Sequence, residues 1–303
     1  MTITDVPGVE VGHWTDPVGL TGVTVITFPE PNVAAVEVRG AAPGTREIAL
    51  LAPGTRVDTV QAIVLCGGSA FGLASVDGVM QALEAEGRGH QTFAGVVPIV
   101  PAAVIFDRGI GEPSARPGPE EGVAAYQAAS ERPVEMGNVG AGTGATVAGW
   151  RGAEARRKGG LGSAAIRASD AVVGVVAVVN AVGDVFTLEG EPLTGGSAVP
   201  PLAPIAPSPI ENTTLVVVAT DALLDRTELV RVVVRAQDSV AACLRPGHTR
   251  YDGDVAFAVS CGDLAGDPDI VGEATFLATG RAIEAAIRAA RPVAGLPAME
   301  DGE

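Results

Sequence analysis

A threonine opens an apolar strand, and two aspartates stand one residue apart about forty positions later. These are Thr213, in Asn212-Thr213-Thr214-Leu215-Val216-Val217-Val218, and Asp252 and Asp254, in His248-Thr249-Arg250-Tyr251-Asp252-Gly253-Asp254. A threonine hydroxyl is a weak nucleophile at neutral pH unless a base takes its proton. The α-amino group of the same residue is a suitable base, because its reference pKa of roughly 7.7–8.0 leaves a neutral fraction. That requires removal of the preceding residues. Attack of the Thr213 hydroxyl on the Asn212 carbonyl, followed by ester hydrolysis, removes them without a second protein. Two acids near the new ammonium would orient it, and their mutual repulsion would raise one pKa. Spacing alone also allows Asp252-Gly253-Asp254 to be a hairpin or Asx turn, and at the start of a strand it would put both carboxylates on one face.

The neighbouring elements fit this chemistry. Thr194 to Glu211 carries five prolines without an apolar period, which predicts an exposed, flexible linker over 194–211 that can be cut. Cleavage between Asn212 and Thr213 gives residues 1–212 and 213–303. Ala171 to Ala181 predicts a buried strand that ends in Asn180, either capping a turn or donating into an oxyanion site. Gln61 to Cys66 predicts a strand running through Gly67-Gly68-Ser69 into a helix from Leu73 to Glu86, so that free backbone N–H groups would line a cleft at Gly68 and Ser69. Ser69 does not fit a nucleophile elbow, because Phe71 stands where glycine is needed. The glycine-dense Gly137-Asn138-Val139-Gly140-Ala141-Gly142-Thr143-Gly144 is expected to line a cleft wall, with Asn138 and Gly140 in it. Gly140-x-Gly142-x-x-Ala145 lacks the preceding strand and following acid of a dinucleotide fingerprint.

The rest of the chain predicts an antiparallel meander from Val9 to Arg39. It also predicts an apolar run with two prolines from Val97 to Asp107, a short helix over 120–129, a hairpin continuing through Gly183-Asp184-Val185-Phe186, and long helices over 225–244 and 271–290. The 303 residues are expected to form a single domain and are 47% apolar. With 20 basic and 36 acidic residues, the net charge of −16 argues against nucleic acid. No run reaches the roughly 20 apolar residues that span a bilayer, and the N-terminus has no signal-peptide pattern, so a cytoplasmic location is expected. The scattered cysteines and histidines give no metal-ligand spacing, and neither metal nor cofactor is expected. Secretion is not signalled either, so the sequon at Asn212 is set aside.

In ordered stretches along nearly its whole length, the chain resembles the DmpA/BapA family of self-processing aminopeptidases, and especially its threonine-type relatives, the 6-aminohexanoate-oligomer hydrolases. The resemblance runs through Pro7-Gly8-Val9, Arg39-Gly40 to Arg46-Glu47, Gly67-Gly68-Ser69-Ala70-Phe71-Gly72, Val97-Pro98-Ile99-Val100-Pro101, Gly137 to Gly144, Lys158-Gly159-Gly160-Leu161-Gly162, Val179-Asn180-Ala181, Asn212-Thr213-Thr214 and His248 to Asp254. It implies a four-layer α/β/β/α sandwich, autocleavage before Thr213, and Thr213 as nucleophile. It further implies Asp252 and Asp254 as carboxylate partners, Asn180 in the oxyanion site, Lys158 as a polar neighbour, and a homo-oligomer, a tetramer of cleaved protomers. Serine-type members carry Ser-x-Glu where this chain has Asp252-x-Asp254. Some members use a tyrosine, for which Tyr126 and Tyr251 are the candidates here. The expected substrate is a small molecule or short peptide bearing an amide. An acyltransferase of the ornithine-acetyltransferase type and a non-enzymatic nucleotide- or carboxylate-binding module are the competing readings.

Overall fold

The computed structural model describes residues 1–205 and 211–299. Ten strands build two five-stranded sheets. In chain order they are β1 (Glu10–Asp16), β2 (Thr21–Thr27), β3 (Val33–Val38), β4 (Thr45–Arg46), β5 (Ala62–Cys66), β6 (Ala102–Val104), β7 (Gly160–Ala168), β8 (Ala171–Asn180), β9 (Thr213–Leu223) and β10 (Val255–Ala265). The first sheet has the order β1-β2-β5-β6-β4 and the second β7-β8-β9-β10-β3. Four helices complete the fold: α1 (Ser75–Ala85), α2 (Pro119–Gln127), α3 (Arg226–Cys243) and α4 (Pro268–Ala289).

Three apolar layers hold these elements together. Val23, Val64 and Val104 of the first sheet pack on Val76, Val79 and Leu83 of α1 and Ala125 of α2. Ile26 and Leu65 meet Val176, Val178, Leu215, Val217 and Phe257 between the sheets. Val175, Val216, Val218 and Ala258 face Val232, Val233 and Val240 of α3 and Ala278 and Ile283 of α4. Helix, sheet, sheet and helix are therefore stacked as the resemblance implies.

The Val-rich strands are buried on both faces, so they read as continuous apolar runs, yet successive residues still enter different layers. In β9 the odd positions Leu215, Val217 and Ala219 face the other sheet, while Val216 and Val218 face the helices.

Two local expectations change. The N-terminal strands do not form one meander: β1 and β2 pair in the first sheet, whereas β3 crosses to the second and pairs antiparallel with β10. Alternation along a strand does not state which sheet it joins. Asp184–Val185 does not fold back on β8 as a hairpin but pairs with Leu244–Arg245 after α3. The two prolines of the Val97 to Asp107 run lie outside β6, which pairs with β5 in parallel and β4 antiparallel.

The expected flexible linker over 194–211 includes residues 206–210, which lie outside the described residues. Three of its other residues make hydrogen bonds to the fold. Thr194 donates its hydroxyl to Asp184, Trp150 Nε1 donates to the Pro201 carbonyl at 2.9 Å, and Ile205 N donates to the Trp150 carbonyl at 3.0 Å.

Candidate active site

Thr213 is the first residue of β9, held between β8 on one side and β10 on the other. Its cross-strand partner is Asn180, the last residue of β8. Thr213 shares parity with Leu215, and Asn180 with Val178, so both side chains belong to the face between the sheets. The Thr213 hydroxyl donates to the Asn212 carbonyl at 2.6 Å. The same oxygen accepts the Gly253 N–H at 2.9 Å. A Cβ at Gly253 would lie 2.8 Å from the hydroxyl, which accounts for glycine between the two aspartates.

Asn180 is fully buried and uses both ends of its amide. Its oxygen accepts the Thr146 N–H at 2.8 Å and its nitrogen donates to the Phe106 carbonyl at 3.1 Å. Thr146 in turn pairs with Lys158 and accepts from the Asn212 side chain at 3.4 Å. Thr146 therefore stands between Lys158, its neighbour across the two-stranded ladder, and Asn212, which precedes Thr213.

The buried Lys158 ammonium donates to the carbonyls of Gly142, Ala145 and Gly159 at 2.8–2.9 Å. Burial lowers its pKa to about 7, against the opposing charge of Asp107. Asp107 ends the run before the cleft, accepting from Gly68 N and the Thr21 hydroxyl, both at 2.7 Å. Burial raises its pKa, and these hydrogen bonds oppose the rise. Asp107 was not singled out from the sequence; its only signal is an acid closing an apolar run.

β10 begins at Val255, and Asp252 continues its parallel register through a bridge to Asn212, the residue before β9. Asp252 belongs to a turn: its carboxylate accepts the Thr249 N–H at 2.8 Å, the Thr249 hydroxyl at 2.7 Å and Val182 N at 3.4 Å. Burial, and then the charge of Asp254, raise its pKa to about 6. Asp254 accepts the Thr214 N–H at 2.7 Å and contacts His248 Nδ1 at 2.7 Å. The turn holds Asp252, and both carboxylates lie at the start of β9, with Asp254 on the Thr214 amide.

A cleft of about 300 Å³ opens onto Thr213, lined by Ala42, Pro43, Gly44, Ser69, Ala70, Val104, Phe106, Glu211, Asn212 and Tyr251. A smaller one of about 80 Å³ adjoins it at Phe106, Asp107, Gly144, Thr146 and Arg156. Tyr251 is therefore the tyrosine at the cleft, while Tyr126 donates to Glu86 in the outer helix layer.

Of the other expected cleft residues, Ser69 is at the cleft and Gly68, Asn138 and Gly140 are not among those lining it. Ser69 lines the cleft, but the amides of Gly67, Gly68 and Ser69 are taken by the Gly22 carbonyl, Asp107 and the Ile105 carbonyl, so they are not free donors. Asn138 pairs with the backbone of Arg291 at 2.9 and 3.0 Å. Gly140 packs on Thr24 and His13 of the first sheet, and its amide donates to Thr15. Asn138 and Gly140 are not among the residues lining the cleft at Thr213.

Among the described residues, no group of three or more His, Cys, Asp or Glu is placed to hold a metal ion. No helix among them is long and apolar enough to cross a membrane.

Comparison with known proteins places the chain in a family and its fold among solved structures. An uncharacterized aminopeptidase of Mycobacterium leprae is 42% identical over 341 residues, covering 98% of this chain and 92% of that protein. A 6-aminohexanoate-oligomer endohydrolase of Paenarthrobacter ureafaciens is 30% identical over 284 residues, covering 86% of this chain and 75% of that protein. Among solved structures, a Burkholderia sp. beta-aminopeptidase superposes with a TM-score of 0.77 at 22% identity, covering 99% and 90% of the two chains. The L-aminopeptidase D-Ala-esterase/amidase of Ochrobactrum anthropi, described as a new variant among the Ntn hydrolase fold, gives 0.76 at 21% identity over 95% and 86%. At those identities the structural likeness establishes the fold. Residues 1–299 match the model of peptidase family S58, so the chain belongs to that family and is a peptidase or amidohydrolase acting on amide bonds.

Proposed function

We propose that the chain cuts itself between Asn212 and Thr213, and that Thr213, freed as an N-terminus, is the nucleophile of the amide hydrolase. One observation carries this reading: the Thr213 hydroxyl lies 2.6 Å from the oxygen of the carbonyl it must attack, and Gly253 N–H donates into that oxygen. Attack of Oγ1 on the Asn212 carbonyl carbon puts negative charge on an oxygen already holding a donor. Collapse breaks the peptide C–N bond, leaving an ester on Oγ1 and a free amine on Thr213. Water then releases the Asn212 carboxylate and restores the hydroxyl. Because β9 is the central strand of its sheet, both products, 1–212 and 213–303, would remain one folded domain.

In turnover, the Thr213 amine takes the hydroxyl proton, an acyl-enzyme forms on Oγ1, and water releases it. Asn180, paired with Thr213, is the reading's oxyanion donor. Asp252 and Asp254 anchor the strand and orient the ammonium, and Lys158 supplies positive charge behind Thr146.

The substrate proposed is a small molecule or short peptide whose amide is flanked by an amine-bearing end. A cleft of about 300 Å³ with Glu211 at its edge suits a short cationic amine. Hydrolysis of 6-aminohexanoate oligomers is included because a 30% identical relative is named for it. Assembly as a homotetramer is part of the proposal, on the ground of the family resemblance alone.

Intact mass and denaturing electrophoresis test the cut, and a panel of peptides, amino-acid amides and 6-aminohexanoate oligomers tests the substrate. A chain that stays whole on prolonged incubation yet hydrolyses amides would overturn the self-processing reading.

A further inference from the structure

His248 opens the segment that carries Asp252 and Asp254, and both of its ring nitrogens face acceptors. Nδ1 lies 2.7 Å from the Asp254 carboxylate and Nε2 3.2 Å from the backbone carbonyl of Gln237 in α3. A neutral imidazole has one donor nitrogen and one acceptor nitrogen, so between two acceptors it leaves one contact repulsive; the imidazolium donates through both. The backbone at His248 has φ of 51°, in the left-handed region that a residue with a Cβ seldom enters. Such strain persists where the surroundings over-determine the conformation, and the two ring contacts provide that hold. Burial lowers the pKa of this ring, and hydrogen bonding and charge from Asp254 outweigh it, so the net shift is upward.

We propose that His248, as an imidazolium, is the positioning residue of this site: it fixes the Asp254 carboxylate against the Thr214 amide and places a positive charge beside two buried acids. The inference rests on Thr213 being the nucleophile. Asp254 is a bridge with His248 at one oxygen and the residue following Thr213 at the other, so rotation of the ring would loosen the start of β9.

Charged groups on the neighbouring β3 and α3 pair with each other. Glu37 and Arg39 at the end of β3 pair at 2.8 Å, and Arg235 and Asp238 of α3 pair at 2.7 Å. Asp252 also acts on the ring through its charge. That attraction is reciprocal, so an imidazolium favours the Asp252 carboxylate against burial and against Asp254.

The test compares wild type with His248→Gln, which keeps a side-chain N–H for Asp254 but carries no charge. In the processed enzyme, the acidic limb of the kcat/KM profile should move up by about one pH unit, roughly a tenfold loss on that limb, with kcat affected more than KM. An unshifted limb overturns the proposal, whatever happens to Tm. Should the variant fail to fold, imidazole proton NMR of the uncut Thr213→Ala chain decides instead. The sequence holds only His13, His90 and His248, so the resonances are few. A His248 midpoint above about 6.5 is expected, and one at or below it overturns the imidazolium. Hydrolysis retained by Thr213→Ala would remove the nucleophile reading, while the NMR midpoint is read without any activity.

Discussion

Asp254 accepts the backbone amide of Thr214 at 2.7 Å, one residue beyond the hydroxyl expected to do the chemistry. A carboxylate bound to an amide inside the sheet is fixed in position, because β9 and β10 run parallel from Leu215 and Val255 onward. In the proposed mechanism Asp254 acts by holding the strand that begins with Thr213. Asp254→Asn should weaken hydrolysis by one to two orders of magnitude while leaving the fold intact, as read by kcat and circular dichroism.

Thr213→Ala should leave a single uncut chain and lower amide hydrolysis by at least about a thousandfold. Thr213→Ser should restore both, since the hydroxyl and its contact with the Asn212 carbonyl are kept. Intact mass and a chromogenic amino-acid anilide read the two outcomes.

Asn180→Ala removes the acceptor for Thr146 N–H in a fully buried setting. The orphaned donor should cost about 1–3 kcal/mol of stability, and the lost amide about 10²–10³ in kcat. Chemical denaturation and steady-state kinetics separate the two.

The pKa of Asp252 is about 6 in the fold, above the roughly 3.9 of an unfolded aspartate. Between these values the native state binds more protons than the unfolded state, so the contribution of this group is complete below about pH 4 and lost as pH rises through about 6. In a Thr213→Ala background, the Tm difference between Asp252 and Asp252→Asn chains should fall over that window and be flat above it. A flat difference throughout would show that Asp252 is not perturbed.

Tyr251 lines the cleft and Tyr126 does not. Tyr251→Ala should reduce kcat/KM by about tenfold through lost substrate contact, whereas Tyr126→Phe should change it less than about twofold. Parallel kinetics on both variants checks the assignment.

The sequence by itself determined the pieces. Thr213 before a Val-rich strand, Asn180 ending another, the acid pair at 252 and 254, and the long helices that became α3 and α4 were legible from residue type and period. Local chemistry fixes those features: apolar runs make buried strands, and Asp225 caps α3 by accepting from Glu228 N.

Tertiary structure decided which pieces meet. β3 leaves its sequence neighbours because its partner, β10, is more than 200 residues away, and no local pattern encodes that pairing. The amides of the Gly67 turn were claimed by Asp107, Gly22 and Ile105 once three segments converged, which left none of them free to line the cleft as donors. Asn138 and Gly140 went to packing, Tyr251 rather than Tyr126 reached the cleft, and Asp107 and His248 took up contacts that residue type alone did not assign them. Hydrogen-bond partners and burial depend on side chains far apart in sequence, and those are fixed only when the two sheets close on each other.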